Sequence, residues 1–313
     1  MKKEDLRIVF MGTPEFAVGS LKALVEGGYN VVAVITQPDK PVGRHGSVLQ
    51  PSQVKQYAMS HNIPVLQPEK MKDEAFVEEL RSYKADLQVV VAFRMLPEVV
   101  WAMPRFGTFN VHASLLPQYR GAAPINWAII NGETETGITT FFLDHEIDTG
   151  RIIFQEHLPI ADTDDVGIVY DKLMTLGAEV CLRTVDEIIQ TDGNVVSHAQ
   201  NSEGVTGELK PAPKIFKETC RIDWGMSARD IYNFVRGLSP YPAAWTTFNG
   251  QQMKVYKTHV GDDSQISSRA SQLAVECKDG RVVIDELQLA GKKRMSAAAF
   301  LNGLQDKSNL IFE

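Results

Sequence analysis

The sequence predicts an α/β fold, with a mostly parallel sheet covered by helices on both faces and then a smaller β-rich domain. Three observations carry this reading. In the first 110 residues, short runs that are apolar throughout take turns with stretches of helical periodicity, the pattern of a parallel sheet buried on two sides. Between residues 191 and 206 the chain turns polar, holds two glycines and loses its hydrophobic period. Beyond residue 206, tryptophans, prolines and short alternating segments take over. The expected division is therefore 1–206, with a linker near 191–206, and 207–313.

The elements follow in order. Residues 7–11 (RIVFM) read as a buried strand, and Pro14 after Gly12-Thr13 suits the first turn of a helix. Phe16, Leu21, Leu24 and Val25 keep helical spacing until Gly27-Gly28 stops it. Residues 31–35 (VVAVI) form the second strand. The stretch 37–51, with three prolines and two glycines, reads as a loop. Helices are expected near 52–60 and 72–83, strands at 87–93 and 108–111, and an irregular segment at 113–124. Residues 138–143 and 152–157 suit an antiparallel edge. A long helix spans 166–189, with Thr163 or Asp164 as its cap. In the second domain, 253–258, 272–277 and 281–287 read as strands.

Composition narrows the function. The 313 residues are 44% hydrophobic and 23% charged, which excludes disorder as the main state. No apolar run exceeds five residues, whereas a membrane span needs about 20. The opening Met1-Lys2-Lys3-Glu4-Asp5 is not expected to be a secretory leader. Three distant cysteines, Cys181, Cys220 and Cys277, fit neither a disulfide framework nor a CxxC metal site, and they suit a reducing cytoplasm. There is no GxxxxGK[ST] phosphate loop, and the single Gly12 after the first strand excludes a GxGxxG dinucleotide fingerprint. The net charge of −7 counts against broad nucleic-acid binding, but it is unevenly spread. Residues 207–313 carry 15 Lys/Arg against 12 Asp/Glu, and residues 1–206 carry 17 against 27, so the second domain stands at +3 and the first at −10. That asymmetry hints at a polyanionic partner.

A parallel sheet binds ligands outside the carboxyl ends of its strands. This directs attention to Asn110 and His112, two apart at a strand end and so on one face. An amide can donate to a developing oxyanion, and an imidazole beside it can exchange a proton near neutral pH. By itself such a pair is usually just a polar strand end. The second cluster is Asp144, His145, Glu146 and Asp148, before a turn at Thr149-Gly150. By itself it reads as an acidic turn between two strands. With no HExxH and no second histidine pair, no metal site is expected. Ser114 lacks the GxSxG setting of an activated nucleophile, so a turn or ligand-contact role is expected.

The joint pattern is specific. NVHASLLPQYRGAAP (110–124), followed about 30 residues later by DTG (148–150), resembles the folate-dependent formyltransferase family. The likeness continues through VFMGTPEFA (9–17), TQPDKPVGR (36–44), PSQVK (51–55), APKI (212–215), IDW (222–224), IYNFVRGLSPYPAAW (231–245) and GKKRM (291–295). The resemblance implies a Rossmann-like N-terminal catalytic domain and a C-terminal OB-like β-barrel that binds tRNA. It implies transfer of a formyl group from 10-formyltetrahydrofolate to the α-amine of methionyl initiator tRNA. The alternative acceptor is an amino-sugar nucleotide. Asn110, His112 and Asp148 take the places of the family's catalytic residues, and Ser114, Leu115, Leu116 and Pro117 those of its folate loop. Arg44 matches the basic residue that contacts tRNA, and a cytoplasmic monomer without metal is expected. Two departures stand out. His45-Gly46-Ser47 replaces the consecutive lysines common in relatives, which implies fewer phosphate contacts and a shallower salt dependence. Ala92-Phe93-Arg94-Met95 stands where relatives usually have a Tyr-Gly pair, near the expected pteridine pocket. In the second domain, Lys210, Lys214, Lys217, Arg229, Arg236 and Lys292-Lys293-Arg294 supply positive charge, and Tyr241 and Trp245 are open between core and base stacking.

Overall fold

The computed structural model describes residues 1–42, 48–200, 207–261, 272–305 and 310–313. The chain divides into two compact units. The first comprises Met1–Arg120, Gly137–Leu158 and Asp171–Lys210, and the second Gly121–Thr136, Pro159–Tyr170 and Pro211–Glu313. A single cut near residue 206 is thus a coarser picture than the observed one, because two inner segments fold with the C-terminal part.

The elements begin with β1 (Arg7–Gly12), α1 (Glu15–Glu26), β2 (Asn30–Ile35), β3 (Lys40–Val42), β4 (Val48–Gln50), α2 (Gln53–Ser60) and β5 (Val65–Leu66). They continue with α3 (Glu74–Ser82), β6 (Leu87–Val91), α4 (Glu98–Trp101), β7 (Thr108–His112), α5 (Pro124–Ile130), β8 (Glu135–Phe142), β9 (Ile152–Pro159) and α6 (Val166–Gln190). Seven strands form one sheet in the order β5-β2-β1-β6-β7-β8-β9. The pairs from β5 to β7 are parallel, and β8 lies antiparallel to β7. Strand order reverses beside β1, where β6 begins the second arm, which is the topological switch of a doubly wound sheet. Side chains of β1 and β6 are buried on both faces, as their uninterrupted apolar runs require. One of those faces packs Val9 and Met11 with Ala33, Ile35 and Val90 against Phe76, Val77 and Leu80 of α3.

Local chemistry sets the helix starts. Ser52 Oγ accepts from Lys55 N (3.0 Å), and Asp73 Oδ1 accepts from Phe76 N (3.0 Å). At α6 the cap is Asp165, whose Oδ1 accepts from Ile168 N (2.9 Å), rather than Thr163 or Asp164. Asp164 is already used, its Oδ2 accepting from Ala161 N (3.1 Å). The 37–51 segment carries a small antiparallel pair, β3 with β4. Asp39 anchors it by accepting from Lys55 Nζ (2.7 Å) and Gln67 Nε2 (2.7 Å), and the lysine's hydrogen bond holds the Asp39 carboxyl below the usual carboxylate range. Arg44 and His45-Gly46-Ser47 lie outside the described residues.

The second unit adds α7 (Ala228–Leu238), β10 (Ala244–Phe248), β11 (Gln251–Val260), β12 (Leu273–Cys277), β13 (Gly280–Leu289), β14 (Met295–Ser296) and α8 (Ala297–Gly303). The sheet runs β10-β11-β13-β12, with β14 on β13, and is an antiparallel half-barrel. Helix α7 closes its core, with Ile231, Val235 and Leu238 in one cluster with Met253, Val255, Ile284 and Leu287. The inner segments join this unit for physical reasons. Asn126 Nδ2 of α5 donates to Gly237 O of α7 (2.9 Å). Buried Arg236 donates to Asn233 Oδ1 (2.9 Å) and to the carbonyls of Asp164 (2.9 Å) and Ala161 (3.2 Å). Burial lowers its guanidinium pKa. Trp245 is scaffold, its Nε1 donating to Lys217 O (2.8 Å), whereas Tyr241 is 81% exposed.

Among the described residues no helix is long and apolar enough to cross a membrane. The three cysteines are free thiols. Burial pushes the Cys181 thiol up to about 12, so it supplies little thiolate at pH 8, and burial also raises Cys220 and the partly exposed Cys277. Alkylation of the native protein at pH 8 is expected to label the partly exposed Cys277 at least about tenfold faster than Cys181, as read by peptide mass spectrometry.

Candidate active site

Strand β7 ends on His112, and period-2 alternation puts Asn110 on the same face. Both expectations from spacing hold. His112 is 7% exposed, and its Nε2 lies 2.9 Å from the Tyr119 carbonyl. A carbonyl only accepts, so Nε2 carries the proton and the neutral ring keeps its lone pair on Nδ1. Nδ1 faces Asp148, with Oδ2 at 3.9 Å. That is ion-pair range but beyond direct hydrogen-bond reach. Asn110 is half-buried, and its Oδ1 is enclosed without a hydrogen-bond partner among the described residues. A buried polar atom without a partner calls for an explanation, and an arriving ligand with an N–H would supply one.

The loop after β7 is pinned from the adjoining strands. Thr139 Oγ1 on β8 donates to Ser114 O (2.6 Å) and accepts from Leu116 N (3.2 Å) and Gln155 Nε2 (2.9 Å). Gln155 on β9 also donates to Leu116 O (3.0 Å). Ser114 Oγ donates to Gln118 O (2.7 Å), so this fully buried hydroxyl is spent on the loop's own turn. Of the expected folate-loop residues, Ser114 and Leu116 are buried, and Leu115 and Pro117 are half-buried. The loop then delivers the Tyr119 carbonyl to His112 from a left-handed backbone (φ +60°).

Asp148 also sits in the left-handed region, at φ +55°. Gly150 then packs so closely on Phe142 that a Cβ would overlap the Phe142 carbonyl oxygen. This is the reason a glycine ends the DTG turn. The turn is tied from outside by residues 197–200. Arg151 donates to Ser197 Oγ (3.0 Å) and to its carbonyl, and Ile152 and His198 exchange backbone hydrogen bonds (2.8 and 2.9 Å). Gln200 Nε2 donates to Asp148 O (2.9 Å) and Gly150 O (2.8 Å). Its Oε1 accepts from Arg120 Nε (3.1 Å) and Nη2 (2.7 Å). Sequence reasoning missed Tyr119, Arg120 and Gln200. The first two lie inside the quoted motif, but Gln200 falls in a stretch read as linker, and no local pattern marks it.

The 143–151 loop also borders a cavity of about 430 Å³, walled by Met71, Met95, Leu96, Pro97, Trp101 and His145. The His145 ring meets Trp101 edge-on, with centroids 5.3 Å apart. Arg94 donates to the carbonyls of Glu69 (2.9 Å) and Pro68, and burial lowers its guanidinium pKa. Ala92 holds a left-handed φ of +47° without being glycine. Among the described residues no group of three or more His, Cys, Asp or Glu is placed to hold a metal ion.

A doubly wound α/β unit with an amide and an imidazole at one strand end, and a carboxylate facing the imidazole, holds the kinds of group that proton-coupled chemistry uses. Comparison with known proteins says which family this is. The formyl transferase family model matches residues 6–185, and that of the formyl transferase C-terminal domain matches residues 214–305. The chain belongs to the formyl transferase family. It is 62% identical to the methionyl-tRNA formyltransferase of Parabacteroides distasonis, over 97% of this chain and 98% of that protein. Among solved structures it is similar to the methionyl-tRNA formyltransferase of Clostridium thermocellum, with a TM-score of 0.56 and 15% identity, over 91% of this chain and 98% of that one. It is also similar to an N-formyltransferase from Helicobacter canadensis solved with folinic acid and dTDP-3-aminofucose, with a TM-score of 0.62 and 20% identity, over 89% of this chain and 98% of that one. At these identities the two structures speak for the fold.

Gly150→Ala is expected to cost about 1–3 kcal/mol of stability, because backbone must move to admit the methyl group. A crystal structure of the variant should show Asp148 displaced from His112.

Proposed function

We propose that this protein transfers a formyl group from 10-formyltetrahydrofolate to the α-amino group of methionyl initiator tRNA in the cytoplasm, through Asn110, His112 and Asp148. One observation carries the reading: 62% identity spanning both units to a methionyl-tRNA formyltransferase. The donor, when bound, supplies an activated formyl carbon on an aryl nitrogen that departs as an amine. The residues present fit it. Met95, Leu96, Pro97 and Trp101 offer apolar walls for a pteridine, with Lys72 and Glu98 among the polar lining, and the enclosed Asn110 Oδ1 is left for the N–H of the acceptor amine.

In this reading each residue has a task set by its chemistry. Asn110 donates its amide N–H to the oxyanion that develops as the amine attacks, and its Oδ1 accepts an amine N–H. His112 has its Nε2 proton committed to Tyr119, so Nδ1 is the atom that takes up and returns the proton. Asp148 faces that nitrogen and stabilises the imidazolium electrostatically. The Ser114–Pro117 segment shapes the folate side. Arg44 and the positive charge of residues 207–313, Lys214 and Lys217 among it, meet the phosphates of tRNA.

Two measurements test the reading. Given formyltetrahydrofolate with methionyl initiator tRNA in one vessel and an amino-sugar nucleotide in another, the protein is expected to formylate the tRNA. Formylation of the sugar alone overturns the assignment. Asp148→Ala is expected to lower kcat by about 10²–10⁴ while tRNA binding stays within about twofold. Near-normal turnover in that variant removes Asp148 from the mechanism.

A further inference from the structure

We propose that Gln200 is a positioning residue for Asp148, locking the turn that presents the carboxylate to His112; the assignment of a task to Asp148 rests on the formyl-transfer reading above. The argument starts from the amide. Arg120 has only donors, so the Gln200 oxygen must face it, at 3.1 and 2.7 Å. The amide nitrogen must then face the carbonyls of Asp148 and Gly150, with one hydrogen for each, at 2.9 and 2.8 Å. Both donors and the acceptor of Gln200 are engaged, which leaves one orientation for the side chain.

Its targets lie two residues apart and flank Thr149. For both carbonyls to converge on one nitrogen, the backbone must keep the left-handed turn at Asp148. A non-glycine residue holds such a backbone only where its surroundings over-determine it. Gln200 meets this need through the Asp148 carbonyl, while the carboxylate faces His112. The contacts also close a ring: His112 to the Tyr119 carbonyl, along the chain to Arg120, across to Gln200, on to the Asp148 carbonyl, and back through the carboxylate to His112. Loosening Gln200 opens the ring at both the Arg120 and the Asp148 contacts. Residues 197 and 198 hold Arg151 and Ile152 independently, so the turn loses its orientation before the loop loses its place.

The test compares Gln200→Ala and Gln200→Glu with the wild type. Gln200→Ala is expected to lower kcat by about 10–100-fold, the scale of a misplacement near 1 Å, with KM for both substrates within about twofold and the melting temperature little changed. Gln200→Glu keeps the size and the Arg120 contact but sets acceptors against two carbonyls. It should not restore turnover, although it would if Gln200 only filled space. Placed on Asp148→Ala, Gln200→Ala should cost nothing further. A substrate-free measurement separates this inference from the formyl-transfer reading. The ¹⁵N resonances of the His112 ring should move in Gln200→Ala in the same direction as in Asp148→Ala, while those of the other histidines stay. Wild-type kcat in Gln200→Ala, rescue by Gln200→Glu, a full additional loss on top of Asp148→Ala, or unmoved His112 resonances each overturn the proposal. Absence of formyl transfer in the wild type, with the His112 resonances moving as described, overturns the reaction and leaves the positioning role standing.

Discussion

His112 Nε2 donates to the Tyr119 carbonyl across 2.9 Å, and a carbonyl has no proton to return. The ring is therefore held in one tautomer with Nδ1 turned to Asp148, and the rest of the site is arranged around that choice. The loop from Ala113 to Arg120 exists in its observed path because it must bring one carbonyl back over the strand that it has just left. Thr139 and Gln155 hold its first half. The left-handed backbone at Tyr119 turns its second half. Were that carbonyl elsewhere, the imidazole could rotate or exchange tautomers, and the nearby carboxylate would have no defined nitrogen to face.

The sheet makes this possible by being buried on both faces. A strand such as β7 cannot shift register by one residue without moving Asn110 and His112 to the opposite face. β8 adds a second restraint, pairing Asn110 with Phe141 and His112 with Thr139, so the residue that pins the loop sits opposite the residue that uses it. Rigidity here comes from packing and ladder hydrogen bonds. Asp148 and its turn lie instead on a loop whose left-handed backbone is tied from outside.

Much of this architecture is legible without coordinates. Apolar runs on both faces announce β1, β2 and β6, the turn residues announce the loops, and spacing alone puts Asn110 beside His112. Other features lie beyond such reading. Helix α7 escapes it, since Arg236 and Asn233 sit among its buried positions, and their pairing together with the Ala161 and Asp164 carbonyls makes that burial tolerable. The α6 cap falls one residue later than expected because Asp164 is already engaged with Ala161. The 37–51 loop holds a strand pair too short to leave a period. A single split near residue 206 misses that 121–136 and 159–170 fold with the C-terminal unit, held there through Asn126 and Arg236.

Local pattern carries what depends on neighbours along the chain: alternation in a strand, the stop at a glycine pair, the cap before a helix. A full-length resemblance carries the family and the three candidate catalytic residues, because whole motifs survive as strings of letters. Tertiary structure alone decided which nitrogen of His112 is free, how Asp148 comes within 3.9 Å of it, and that a glutamine from a supposed linker holds the turn. Those contacts join positions 36 and 52 residues apart, and no periodicity records a partner at that separation. They exist only once burial has folded the chain back on itself and left polar groups that must find one another.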